Sequence, residues 1–267
     1  MPPFNIATSK ANELIIIAVS STCGATATCP NAPSVSSVTS APSLTWTLRN
    51  SAVNGGVGVA EYWAAASAAA NYRIILTLNA LCACIANAFS LLSYNTLQPF
   101  GTKSSTTGSS STPSASASSF GRGDLIMGLL AQGAPTQPPN LQIASYGPGF
   151  ARISQRSTGN NGNPQQFNVQ GAAEDESAGS GTSGAVSFTT GGSYPWALLV
   201  DSVEAPRYYG YSEDSQGLHV GVRAVTAGSY SGFFGVTGNT AAQLFHATIV
   251  LSNKSVPSNN FDTGMYV

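Results

Sequence analysis

In the stretch SLTWTLRN, residues 43–50, Leu44, Trp46 and Leu48 alternate with Thr45, Thr47 and Arg49. Successive side chains of a strand point to opposite faces, so this is the pattern of a half-buried β-strand. Similar runs follow one another along the chain: ELIIIAVSS (13–21), VGVAEYWA (57–64), YRIILTL (72–78), ANAFSLLSY (86–94), DLIMGLLAQ (124–132), GFARISQR (149–156), GAVSFTT (184–190), PWALLVDSV (195–203), GLHVGVRAV (217–225) and AQLFHATIVLS (242–252). β-Branched and aromatic residues are frequent, Gly and Pro mark the junctions, and no long stretch has helical periodicity. The alanines of AEYWAAASAAANY are the nearest thing to a helix. Their aromatic start and the RIILTL that follows favour strand, turn, strand. The pattern predicts an all-β, antiparallel sandwich.

An internal echo refines this. NELIIIAVSS begins like GDLIMGLLAQ, with a small residue, an acid and then Leu-Ile. About fifty residues later each is followed by an Ala-Glu pair, Ala60-Glu61 and Ala173-Glu174. A β-branched strand and an apolar one, ANAFSLLSY or PWALLVDSV, close each half. The offset stays near 110 residues, and matches repeated in order at constant spacing indicate repetition. The expected fold is two similar antiparallel halves packed face to face, neither burying its apolar faces alone. Between them, KSSTTGSSSTPSASASS (103–119) has the composition of a flexible linker, although its Ser-Ala alternation also suits an edge strand. RSTGNNGNPQQ (156–166) reads as a long loop.

Composition narrows the function classes. Charged residues are 8% of the chain, about a third of the usual share, and the net charge is −1. Hydroxyls and amides solvate such a surface, and little charge keeps copies apart. The ten basic residues are scattered, so no stripe exists to neutralise phosphates, and nucleic-acid binding is not expected. The apolar stretch Leu14–Val19 is too short for a secretory signal or a membrane span. With Met1 as a native start, ordinary secretion is disfavoured and a virion component assembled inside a cell becomes attractive.

The succession NELIIIAVSS, SVSSVTSAPSLTWTLR, VAEYWAAAS, IILTL, AFSLLSY, GDLIMGLL, GFARISQR and AAEDESAGSGTSGAVSFTTGGSYPWALLV resembles the concanavalin-like jelly-roll sandwiches of phage, archaeal-virus and extracellular proteins. The resemblance covers about residues 12–205 and rests on a succession of patterns, not on one motif. It implies a jelly-roll β-sandwich over 1–205, acting as a structural or adhesive module, with residues 206–267 left as a C-terminal β extension.

Candidate chemistry is sparse. His219 and His246 lie in alternating runs, and no G-x-S-x-G elbow supplies a nucleophile for a triad. Glu174, Asp175 and Glu176, with Asp201 and Glu204, suit a charged strand edge. The same carboxylates would also suit calcium, or a glycosidase if paired across a cleft. The cysteines form two close pairs. A loop disulfide Cys23–Cys29 with two small buried residues, Cys82 and Cys84, is one reading. A four-thiolate zinc site is another, although gaps of five and one residues depart from the usual two to four. Arg122-Gly123-Asp124 is an adhesion tripeptide, but Asp124 also matches Glu13 at the turn before a strand. Asn253 heads a glycan acceptor pattern.

Tyr208, Tyr209, Tyr211, Tyr230, Phe233 and Phe234 cluster near glycines, as interface aromatics, a sugar platform or a cap on the core. A tail beyond a complete domain also suits strand donation to a sheet edge. The expectation is a non-enzymatic, self-assembling structural protein of a virion surface (capsid, turret or fibre subunit) or an extracellular filament. The alternative is a carbohydrate-binding adhesion module. No cofactor, metal or membrane span is expected, and the partners are copies of itself, other surface proteins or glycans.

Overall fold

The computed structural model describes residues 1–23, 31–80, 82–92, 94–96, 98–118, 120–121, 123–134, 143–158, 168–177, 184–205, 209–213 and 218–222. All regular structure among them is β. No helix among them is long and apolar enough to cross a membrane. The chain divides into two compact units, Met1–Pro206 and Arg207–Val267. In the second unit the described residues form one antiparallel hairpin, Tyr209–Glu213 with Leu218–Val222.

The first unit stacks its sheets in four layers. The first layer is β1 (Phe4–Ala7), β6 (Asn71–Leu78) and β3 (Val35–Ala41), in that order. The second is β4 (Thr47–Asn54), β5 (Val57–Ala65), β2 (Leu14–Cys23) and β7 (Cys82–Leu91). The third is β12 (Ala151–Ser157), β13 (Asn168–Ser177), β10 (Leu125–Ala134), β15 (Tyr194–Val203) and β8 (Phe100–Ser110). The fourth is β11 (Ile143–Tyr146), β14 (Gly184–Thr190) and β9 (Ser114–Ala117). Every pairing is antiparallel.

The strand order recurs. Adding eight to each label turns β1-β6-β3 into β9-β14-β11 and β4-β5-β2-β7 into β12-β13-β10-β15. The irregularities recur as well. β3 slips between Val35 and Ser37 opposite Leu78 and Thr77, and β11 slips between Ile143 and Ser145 opposite Thr190 and Thr189. β4 bulges at Arg49 opposite Tyr62 and Glu61, and β12 bulges at Ile153 opposite Glu174 and Ala173. A bulge places one extra residue at a defined point of a ladder, so its repetition fixes which residues correspond.

Three cores hold the layers together. Ile15, Ile17 and Val19 on β2 meet Tyr72, Ile74 and Leu76 on β6. Leu130, Leu198 and Val200 meet Val186 and Phe188 on β14. The middle core joins Leu14, Ile16 and Ala18 to Met127, Leu129, Ala173 and Leu199. β2 and β10 are therefore buried on both faces, and this explains why ELIIIAV and LIMGLLA read as continuous apolar runs without alternation. The middle core is shared between the strands β1–β7 and the strands β8–β15, so the inner faces of β2 and β10 are buried only where the second and third layers meet.

Other expectations also change. Regular pairing in SLTWTLR starts only at Thr47. Leu44 and Trp46 precede the strand and cover the Ile15–Tyr72 core, with Leu44 N and Trp46 Nε1 both donating to Ser40 Oγ. Leu48, in phase with them, is 52% exposed, on a face of β4 that the first layer leaves uncovered. AEYWAAASAAANY is strand, turn, strand as expected. The Ser-rich linker is mostly β8 and β9, both paired along their lengths. Ser and Thr pair through the same backbone N–H and C=O groups as any other residue, so a linker-like composition does not exclude a ladder.

Gly128 shows how closely the third and fourth layers approach: a Cβ there would collide with Val186 Cγ1 and lie 3.1 Å from Glu174 Cγ. Gly128→Ala is expected to lower unfolding stability by about 1–3 kcal/mol in urea melts, the range of an overpacked core. Leu48→Ala, on the open face of β4, is expected to change it by less than about 0.5 kcal/mol.

Candidate functional site

The densest polar chemistry lies between the second and third layers. The β4 bulge aims Arg49 across the interface, where Nε donates to Asp201 Oδ2 at 2.7 Å and Nη2 to Asp201 Oδ1 at 3.0 Å. Nη2 also donates to the Gly101 carbonyl at 2.8 Å, and the guanidinium lies 4.8 Å from the centre of the Phe100 ring. Lys103 Nζ donates to the Arg49 carbonyl at 2.6 Å. Two asparagines of β4 extend the seam: Asn50 Nδ2 donates to Ser104 O at 3.1 Å and Asn54 Nδ2 to Gly108 O at 2.7 Å. β8 is thus stitched to β4 by side-chain bonds as well as to β15 by its ladder.

Glu61, on β5, completes the group. It is fully buried, and neither carboxyl oxygen has a donor among the described residues. Burial first, then the neighbouring Asp201 charge, pushes Glu61 well above the usual carboxylate range. A neutral Glu61 can donate its proton to Asp201, which gives one of its two oxygens a partner. Asp201 is also buried. Desolvation raises its pKa and outweighs the Arg49 fork, which pulls it down.

Glu174 forms a second buried acid, between the third and fourth layers. Its Oε2 accepts from Gly147 N at 2.9 Å, while Oε1 has no partner among the described residues. Burial pushes it up to about 7, against the pull of the Gly147 and Ser187 amides. The Ala-Glu echo is therefore not a structural one. Glu61 pairs with Ala18 and faces the middle core, whereas Glu174 pairs with Gly128 and faces the outer sandwich. The shared bulge makes Tyr62 the counterpart of Glu174, and a slip of one residue turns a side chain to the other face.

The acids at the two turns do correspond. Glu13 Oε1 accepts from Ser9 N at 2.5 Å, Ser9 Oγ at 2.6 Å and Lys10 N at 2.9 Å. Burial works against its charge, but these bonds, Ser9 first, hold its pKa below the usual value. Asp124 Oδ2 accepts from Gly121 N at 2.6 Å and Oδ1 from Ala205 N at 3.1 Å. At 2% exposure with both oxygens engaged, Asp124 serves its turn and is not offered to a receptor.

The other candidates divide. Glu174, Asp175 and Glu176 do not protect an edge, because β13 lies between β12 and β10. Glu204 is buried and accepts from Asn95 Nδ2 at 3.2 Å. No cluster of three or more His, Cys, Asp or Glu side chains among the described residues is placed to hold a metal ion. Cys82 and Cys84, expected as two small buried residues, are joined as a disulfide along one face of β7. Residues two apart on a strand share a face, with these Cα atoms 5.6 Å apart, so the pairing is local. Cys23 ends β2 opposite Cys82. Cys29, Tyr208, Tyr230, Phe233, Phe234, His246 and Asn253 lie outside the described residues, while Tyr209, Tyr211 and His219 belong to the hairpin strands. Sequence reasoning passed over Arg49. The available signal was a lone cation on an otherwise uncharged strand.

Chemically, the Arg49–Asp201–Glu61 group is a brace. Glycoside cleavage requires carboxyls flanking a bond in an open cleft. Glu61 and Asp201 are each 0% exposed and face each other. Comparison of the chain with protein-family models, curated proteins and solved structures yields no match.

A buried acid with a raised pKa keeps its proton in the folded chain and loses it near 4.5 when unfolded. Its contribution is fully present below that value and is lost as pH rises, through about 7 for Glu174. Unfolding free energy is therefore expected to fall between pH 4.5 and 7 by about 1.4 kcal/mol per unit for each such group. In urea melts across this window, Glu174→Gln and Glu61→Gln are each expected to flatten the slope. Glu61→Gln is also expected to raise stability at pH 7.5, since an amide donates to Asp201 without having to hold a proton. An unchanged slope in both variants would show that neither acid is neutral in the fold.

Proposed function

We propose that this chain is a non-enzymatic structural protein that assembles with copies of itself, as a capsid, turret or fibre subunit of a virion surface or as a subunit of an extracellular filament. We read its first unit as a jelly-roll sandwich built from two similar halves. The recurring strand order and bulges support that reading.

One observation carries the functional reading. Sheet edges in soluble proteins are usually blunted by charge, because an exposed ladder invites another strand. Among the edge strands of the first unit, β1, β3, β7, β9 and β11 contain no Asp, Glu, Lys or Arg, whereas β8 carries Lys103 and β12 carries Arg152 and Arg156. Arg49, on the edge strand β4, is turned inward to Asp201. The unit spends Arg49 on an internal brace and leaves five of its edge strands without a blunting charge, as suits a protein whose normal state is an assembly.

Light scattering with electron microscopy of the full chain tests this. Filaments, rings or shells are expected. Phe233→Ser with Phe234→Ser is expected to reduce assembly while leaving the unfolding midpoint of the sandwich unchanged. A stable 27.2 kDa monomer that binds glycans would favour the adhesion module instead.

A further inference from the structure

We infer that the turn at residues 147–150, between β11 and β12, is a pH-operated latch: the enclosed Glu174 carboxyl holds it shut while protonated and lets it open, together with β11, when it ionises. The first layer carries a tie in the corresponding position that does not respond to pH.

The turn closes directly over the acid. Gly147 N donates to Glu174 Oε2 at 2.9 Å, and Phe150 N donates to the Gly147 carbonyl at 3.0 Å. Just before the turn, the Tyr146 hydroxyl donates to Gln155 Oε1 at 3.0 Å and its ring lies edge-on to Phe188. Beneath this cover Glu174 is fully buried, and its Oε1 has no partner among the described residues. With a proton the group is neutral. Without one, it is a charge enclosed beside Val186 with no counter-ion, and the amides of Gly147 and Ser187 offset only part of that cost.

The cost can be relieved on one side only. β13 and β10 are interior strands joined over ten paired positions. Toward β10 there is no slack, because a Cβ on Gly128 would already lie 3.1 Å from Glu174 Cγ. β11, by contrast, is four residues long, pairs with β14 alone and slips its register between Ile143 and Ser145. This is the part of the cover with least to hold it, and lifting it admits water to the carboxyl. The ionisable neighbours among the described residues are Tyr146 on β11, Arg152 opposite on β12, and Asp175 and Glu176 on β13 itself. β10 and β14 contribute Gly128, Val186 and Ser187, which do not titrate. Asp175 and Glu176 add repulsion to a charged Glu174. Burial pushes the Tyr146 phenol up, so Tyr146 stays neutral where Glu174 changes charge.

The first half contains the natural control. Tyr62, the counterpart of Glu174 by the shared bulge, also reaches its outer layer. Its hydroxyl donates to the Val35 carbonyl of β3, the strand that corresponds to β11, at 3.5 Å. Burial pushes the Tyr62 phenol up as well, so this tie stays neutral throughout the range in which a carboxyl titrates. One position thus fastens each outer layer to its neighbour, by a pH-inert phenol in one half and by an ionisable acid in the other. The architecture does not require an acid there, since a tyrosine serves.

Hydrogen exchange of the full chain tests the latch, read at residues 143–150 and, for reference, along β3 and β6, with the intrinsic effect of pH divided out. Glu174 titrates at about 7 when closed and near 4.5 once exposed, so linkage makes opening about tenfold more frequent at about pH 8.5 than at about pH 6. Exchange at 143–150 is expected to quicken by that factor while β3 and β6 do not change. Glu174→Gln is expected to abolish the difference, because an amide does not ionise. Should that variant not fold, the Glu174 carboxyl of the wild-type chain, followed by carbon-13 NMR, is expected to titrate in step with the exchange. Equal quickening in the first and fourth layers would mean general loosening and would overturn the latch. So would exchange at 143–150 that ignores pH, a response that survives in Glu174→Gln, or a carboxyl that titrates out of step with it.

Discussion

The structure depends on two strands that have no outside. β2 and β10 each lie in the middle of a sheet with another sheet on both faces, and Leu14, Ile15, Ile16, Ile17, Leu129 and Leu130 are all 0% exposed. A strand in that position can place no charge in solvent, and every polar group near it must be satisfied within the protein. The polar residues of the middle layers follow from this. Arg49 is answered by Asp201 and a carbonyl, and burial beside the Asp201 charge makes Glu61 hold its proton more tightly than usual. The asparagines of β4 bind backbone carbonyls of β8 and β15 instead of water.

Sealing acids in this way gives the fold a direction in pH. Glu61, Glu174 and Asp201 all hold their protons more tightly than an unfolded chain would, and Glu13 does the opposite. The balance favours the folded state on mild acidification. The chain has only eleven acids, several of them enclosed, so the same acidification changes its outer charge less than it would for an ordinary protein. A surface solvated by hydroxyls and amides keeps its contacts across such a change. Internal and external features thus point to a fold that does not depend on neutral conditions.

Much of the fold was legible in the sequence, and the failures share a cause. Alternation identified β6, and the continuous apolar runs identified β2, β10 and β15, because burial on one or both faces imposes a period or removes it. The Ser-Ala alternation of β9 suited an edge strand, but β8 was obscured because Ser and Thr at a sheet edge need no apolar face, and KSSTTGSS reads the same whether paired or free. β13 was missed for the opposite reason: its acids suggest solvent, yet Glu174 points into a core. The brace was least visible. Arg49 and Asp201 are 152 positions apart and meet only because a bulge turns one residue of β4 inward, a feature of pairing that no local pattern reports.

The repetition explains why an assembly of this protein would be directional. If every strand of one half had a counterpart in the other, the two would present equivalent edges and copies would meet through matched surfaces, which tends to close a dimer. The described residues are not balanced in this way: β8 completes one half, and the other half keeps β7 open. In an assembly of the kind proposed, unlike edges would meet in a heterologous contact, which closes a ring or continues as a filament according to the rotation between successive copies.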